Sequence, residues 1–168
     1  NAGGRVGKCS HGAELLLSTD SRKTFKLVSD LDGFNNERKD LENNLLNNLN
    51  SSISKNLCDS VIVLTGNNWH EGIIGIIASK IKDKFNKPTI IISIDNNIGK
   101  ASARSVVGFD IGKAIISAVQ DKILIKGGGH KMAGGFTINI NQIDSFKSFI
   151  NKKFQTINID INNQKNLF

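Results

Sequence analysis

The sequence predicts an α/β domain in which a small sheet of about four to five strands is flanked by helices and preceded by a long connecting helix. Three observations carry that prediction. Ser60-Val61-Ile62-Val63-Leu64-Thr65-Gly66 and Thr89-Ile90-Ile91-Ile92-Ser93 are continuous β-branched runs, the pattern of parallel strands covered on both faces. Between them, 72–85 repeats apolar Ile73, Ile76, Ile77 and Ile81 along one face, with Lys80, Lys82 and Lys84 largely on the other. This is a βαβ unit, whose crossover should be right-handed. Upstream, from Asp20 to about Ile53, apolar residues recur mostly at steps of three or four: Phe25, Val28, Leu31, Phe34, Leu41, Leu45, Leu49 and Ile53. A single helix of that length runs about 50 Å at 1.5 Å per residue, with Gly33 the place for a kink, and suits a connector between domains.

The remaining elements follow in order. Asn1-Ala2-Gly3-Gly4-Arg5 is a glycine-rich opening with one cation, and Ala13 to Leu17 has a short helical pattern. Asn67-Asn68-Trp69-His70-Glu71-Gly72 turns from the first strand into its helix, and Asn86-Lys87-Pro88 stops that helix. Ile98 to Val106 alternates as a third strand, and Asp110 can cap a helix over 111–119. Ile123-Leu124-Ile125 then leads into a glycine loop, followed by a strand at 136–140 and a closing helix at 143–154 with Phe146, Phe149 and Ile150 inward. The chain divides at 1–19, 20–57, 58–157 and a polar tail, 158–168.

Composition narrows the chemistry. The net charge is +7, and its placement is uneven. Asp20 to Asp59 is nearly balanced, whereas from Gly99 to Gly135 six cations (Lys100, Arg104, Lys113, Lys122, Lys126, Lys131) face only Asp110 and Asp121. That bias points to a polyanion partner. Cys9 and Cys58 are isolated, and the N-terminus has no signal-like apolar run, so reduced thiols and a cytoplasmic location are expected. No apolar run is long enough for a membrane span. The 21 Asn reflect compositional bias rather than function.

Three stretches are candidate sites. Gly127-Gly128-Gly129-His130-Lys131-Met132-Ala133-Gly134-Gly135 packs five glycines around an imidazole and an ammonium. Glycine is kept where the backbone needs φ > 0 or must touch something closely, and a turn of this kind can gather its amides into an anion-binding nest. Ser102-Ala103-Arg104-Ser105 sets a guanidinium between hydroxyls on a strand, a shape suited to a phosphate. Trp69-His70 lies at a strand end, where ligands of α/β sheets bind, although a Trp there is more often a plug on the core. Glu71 is the one carboxylate in these stretches, and the chain carries no Walker loop, nucleophile elbow or metalloprotease helix. By residue type this is a binding surface, with no metal ligands and no certain catalytic group.

Taken together, these residues resemble the RecJ family of single-stranded-DNA-specific exonucleases in the DHH phosphoesterase superfamily. Asn1 to Arg5 resembles the motif that ends the family's catalytic domain, and the helix containing Asn36 and Arg38 resembles its connecting helix. The rest is similar to the DHHA1 domain through Trp69-His70-Glu71-Gly72-Ile73-Ile74-Gly75, Ser102-Ala103-Arg104-Ser105 and Gly127-Gly128-Gly129-His130, in that order, with Ala101 where the family commonly has Gly. The resemblance implies a 5′ to 3′ exonuclease of DNA repair and recombination, using Mn²⁺ or Mg²⁺ held by a DHH domain outside this sequence. Its implied partners are single-stranded DNA and other DNA-repair proteins, with no membrane. Gly127, Gly128, Gly129, His130, Arg104, Ser102 and Ser105 would contact phosphates, with His130 near the active site; Trp69, His70, Lys131, Asn1 and Arg5 would support them. Two other readings remain open at this stage: a phosphodiesterase for oligoribonucleotides or cyclic dinucleotides, and a non-catalytic nucleic-acid-binding module.

Overall fold

The computed structural model describes residues 3–165, with side chains through Thr156. Two short helices, α1 (Gly3–Val6) and α2 (His11–Leu17), lead to α3 (Ser21–Asn56), whose first turn is capped by the Asp20 carboxylate accepting from the amides of Arg22 and Lys23. The 36-residue helix runs unbroken through Gly33. Only part of its apolar stripe is covered. Leu45, Leu49 and Ile53 are buried, whereas Phe25 is 80% and Val28 48% exposed, because the short α1 and α2 pack against the N-terminal half while α4 and the sheet cover the rest.

After α3 comes β1 (Ile62–Asn67), then α4 (Glu71–Phe85), then β2 (Thr89–Asp95) parallel to β1. Asn86 ends α4 in the left-handed region at φ 49°, and Pro88 follows, so the helix has no way to continue. Asn96 and Asn97, at φ 46° and 66°, form the two-residue turn into β3 (Ile98–Arg104), the paired left-handed geometry that joins antiparallel strands tightly. Next come α5 (Ile111–Gln120), capped by Asp110 accepting from the Lys113 amide, then β4 (Lys126–His130), β5 (Ala133–Asn139), a 3-10 turn at Ile140–Gln142 and α6 (Ile143–Lys165). The last helix continues well beyond Phe154, through the stretch read as a tail, with no Pro or Gly between 143 and 165 to stop it.

The five strands lie in the order β1-β2-β3-β5-β4, a parallel pair extended by antiparallel strands. Strand alternation makes two cores. Val61, Val63, Ile90, Ile92, Ala101, Ala103, Phe136 and Ile138 point to α5 and α6, while Ile62, Leu64 and Ile91 point to α3 and α4.

The glycine stretch is the main departure from expectation. Residues 126–130 form an edge strand, hydrogen-bonded to β5 and closed by the two-residue turn Lys131–Met132. The only described glycine with positive φ is Gly108, so the triple glycine makes no nest. Close approach explains most of these glycines instead. A Cβ on Gly127 would lie 2.6 Å from Phe136 Cβ and 2.8 Å from Ile115 Cγ2, one on Gly134 2.5 Å from Ile115 Cδ1, and one on Gly112 2.9 Å from the Gly129 carbonyl. Helix α5 therefore lies almost on the backbone of the β4–β5 hairpin. Ile111 N–H donates to the Lys131 carbonyl and Ser105 N–H to the Met132 carbonyl, which fixes the hairpin tip.

Candidate nucleic-acid interface

Helix α4 covers only the near part of its face of the sheet. Gly75 marks the boundary, where a Cβ would come within 2.9 Å of Ser102 Oγ and 3.1 Å of Arg104 Nη2. Beyond that line, strand register sets out three rows across β3, β5 and β4 on the same face. Arg104, Ala133 and His130 form one; Ser102, Gly135 and Gly128 the middle; Lys100, Thr137 and Lys126 the third. A trough of about 500 Å³ runs here, lined among others by Glu71, Lys100, Ser102, Lys126, Gly135 and Thr137. Its cations are Lys100 and Lys126, both in the third row, with Glu71 as its carboxylate.

Arg104 is the strongest single feature. Its guanidinium is half-buried, and Nη1 donates to Ser102 Oγ at 3.2 Å and to the Ala103 carbonyl at 2.8 Å. Among the described residues no carboxylate pairs with it. Burial, and then the nearby charge of Arg5, pull its pKa below the ordinary arginine value. A cation held partly dehydrated with free donors and no counter-ion is prepared for an anion. Arg5 arrives from α1, where its Nη1 donates to the Gly72 carbonyl at 2.8 Å.

The Lys100–Glu71 pair, 2.6 Å apart with both side chains exposed, crosses from β3 to the first turn of α4. Its hydrogen bond to Glu71, then the carboxylate's charge, raises the Lys100 pKa. An exposed pair of this kind adds little to stability, and its effect is on charge at the trough. Glu71→Gln should free Lys100 and raise affinity for a polyanion by about two- to threefold at low salt. Anisotropy titration of a fluorescent oligonucleotide at two salt concentrations measures this; a fall in affinity would mean that Glu71 itself contributes to binding.

Several expected site residues fall elsewhere. Ser105 is buried, with its hydroxyl donating to the Phe109 carbonyl at 2.7 Å, so it holds the loop before α5 and is closed to a ligand. The Trp69 ring covers Gly66 at the end of β1, two strands from Ser102, and packs against the α3–α4 core: it is the plug. His70 Nδ1 accepts from the Gly72 amide at 3.1 Å as the cap of α4, which orders the turn beside Glu71. Of the triple glycine, Gly127 faces α5 and Gly128 faces the trough. His130 and Lys131 are exposed at the hairpin tip, and Asn1 lies outside the described residues.

In the sequence Lys100 and Lys126 stand out only as charge, and Thr137 only as part of the strand at 136–140. Counting alternate positions outward from Arg104 and Ser102 finds them once the β4–β5 register is known. Lys113 and Lys122 belong to the other side of the sheet or its edge and add nothing to the trough. Asp30-Leu31-Asp32, an Asp-x-Asp pair, lies on α3, and among the described residues no group of three or more His, Cys, Asp or Glu is placed to hold a metal ion.

Comparison with known proteins matches residues 58–156 to the DHHA1 domain model. The chain is 33% identical over 155 residues to the single-stranded-DNA-specific exonuclease RecJ of Bacillus subtilis, covering 90% of this chain and 20% of that protein. It superposes on a crystal structure of exonuclease RecJ bound to manganese with a TM-score of 0.79 and 29% identity, over 92% of this chain and 38% of the other. Against RecJ of Thermus thermophilus in complex with Mg²⁺ the values are 0.77 and 27%, over 93% and 24%. The chain thus spans about a fifth of the length of the curated relative and under two-fifths of either solved chain.

Proposed function

The chain belongs to the DHHA1 domain family and is RecJ-like across that domain and the helix before it, and on that premise we propose that its trough grips the phosphate backbone of single-stranded DNA for a RecJ-type exonuclease. The observation that carries the reading is Arg104, a half-buried cation with no carboxylate partner among the described residues, held on Ser102 and separated by the Ser102 row from Lys100 and Lys126. Phosphate contacts carry no base information, so binding is tolerant of sequence. In the whole protein the reaction is hydrolysis of phosphodiester bonds from the 5′ end, in repair and recombination alongside other repair proteins. A divalent ion, Mn²⁺ or Mg²⁺, would belong to a DHH domain outside this sequence, since the described residues supply no ligand set for it. Residues 1–19 are the end of that domain, and Arg5 brings its boundary up to Arg104 through the Gly72 carbonyl. His130, exposed at the end of β4 in the same row as Arg104, would stand near the reacting phosphate.

The test is direct binding. The 168-residue chain should bind a fluorescent oligodeoxythymidylate with an affinity that falls as salt rises, and should hydrolyse none of it with Mn²⁺. Salt-independent binding would count against a phosphate grip, and turnover by the purified chain would place catalytic groups within it.

A further inference from the structure

The face of the sheet turned away from the trough carries a second concave surface, a groove of about 690 Å³ between α5 and α6. That volume lies in the range of roughly 300–1,000 Å³ typical of ligand sites. On α6 the groove takes Phe149, Lys152, Lys153 and Thr156, the i, i+3, i+4, i+7 stripe beside Phe146 and Ile150, which are fully buried in the core. On α5 it takes Lys113, Ala114 and Ser117.

The floor is apolar, made by Phe109, Ala114 and Phe149, and the rim carries the ammonium groups of Lys113, Lys152 and Lys153. Asp110 is the one carboxylate in the lining, and it already accepts from the Lys113 amide at 3.0 Å as the cap of α5. None of the three lysines forms an ion pair with another described residue. An apolar groove ringed by uncompensated cations complements a chain segment with apolar side chains flanked by carboxylates.

Single-stranded DNA also combines negative charge with apolar surface, but the aromatic rings here decide against it. Bases stack on free ring faces. Phe109 is 3% exposed, with its ring T-shaped against Phe154 at 5.1 Å between centroids, and Lys153 Nζ stands 5.4 Å over the Phe149 ring. Neither ring offers an open platform.

We propose that the α5–α6 groove docks an acidic amphipathic segment of a partner protein, its apolar residues on the Phe109–Ala114–Phe149 floor and its carboxylates on Lys113, Lys152 and Lys153. The groove and the trough lie on opposite faces of the sheet, so both can be occupied at once.

The probe is a fluorescein-labelled peptide of about 14 residues, Glu throughout except for Leu or Phe at every third or fourth position. Its scrambled form keeps the charge and loses the stripe. Anisotropy titrations of the full chain are run at about 150 mM salt, where exposed charges more than about 8 Å apart are largely screened. The striped peptide should bind about tenfold tighter than the scrambled one, a comparison on the wild-type chain that needs no variant to fold. Lys152→Glu/Lys153→Glu, at two exposed positions of α6, should weaken the striped peptide by about tenfold or more and leave oligodeoxythymidylate binding within about threefold. Ser117→Glu keeps all three lysines and sets a carboxylate beside the floor, so it should weaken the striped peptide by about tenfold as well. Equal affinity for the two peptides would leave only a charged patch and overturns the proposal, as does a wild-type chain that binds neither. A loss of oligonucleotide affinity in Lys152→Glu/Lys153→Glu larger than the loss of peptide affinity also overturns it, in favour of a path for nucleic acid.

Discussion

Arg104→Ala is expected to weaken single-stranded DNA binding by about ten- to a hundredfold, the worth of a charge-assisted hydrogen bond at roughly 1.5–3 kcal/mol. The slope of log affinity against log salt should become shallower by about 0.7, the contribution of one phosphate on a single strand. Both effects follow from the guanidinium's setting. It is half-buried, held by Ser102 Oγ and the Ala103 carbonyl, and pressed by burial and by Arg5 toward the uncharged form without a carboxylate to offset either. An arriving phosphate relieves that state, whereas a solvated surface arginine would gain much less. Arg104→Lys keeps the charge and loses the planar fork, so it should retain the salt slope while losing part of the affinity. Removing an unpaired cation should leave the melting temperature within a few degrees of wild type, which separates lost binding from lost fold. A salt slope unchanged in Arg104→Ala would take the residue out of the interface.

The parts of the fold legible in the sequence were those whose pattern is set by burial on two sides. The β1 and β2 runs, the α4 stripe between them and the long period of α3 each record a continuous apolar face, and each formed close to the expected bounds. Strand β4 recorded nothing. Lys126-Gly127-Gly128-Gly129-His130 has no alternation and almost no β propensity, since its burial comes from α5 lying on its backbone, not from side chains of its own. The same glycines were read as an anion nest because periodicity reports side chains and is silent on backbone contact. In the site, Arg104 and Ser102 were legible as donors two apart on one strand. Ser105 sits at the opposite parity, and that alone, applied strictly, separates it from the other two. For Trp69 the sequence favoured a plug on the core, and its ring lies over Gly66. The helical period of Phe25 and Val28 marks a face, but a period does not tell whether anything covers it.

The Glu42 carboxylate should prove the main polar tie between α3 and the sheet domain. It is 2% exposed, ion-paired to Arg38 one turn earlier on the same helix and to Lys80 of α4 at 2.6 Å. Arg38 is itself held by Asn35 Oδ1 at 2.9 Å from Nη2. Breaking a buried pair by removing one partner costs about 3–5 kcal/mol, because the other charge is stranded. Here Lys80 is 46% exposed and Arg38 21%, so the abandoned cations partly rehydrate. We therefore expect Glu42→Ala to destabilise the chain by about 2–3 kcal/mol, a fall of roughly 5–10 °C in melting temperature. A Glu42/Lys80 double-mutant cycle should give a coupling of about 1 kcal/mol or more. A change below about 0.5 kcal/mol in Glu42→Ala would reduce the cluster to an ordinary surface network. Binding gives an independent check, since the trough is built on β3, β5, β4 and the first turn of α4, none of which touches Glu42. At temperatures where the variant stays folded, its oligonucleotide affinity should lie within about threefold of wild type; a larger loss would mean that the seating of α3, and with it Arg5, is what holds Arg104 ready.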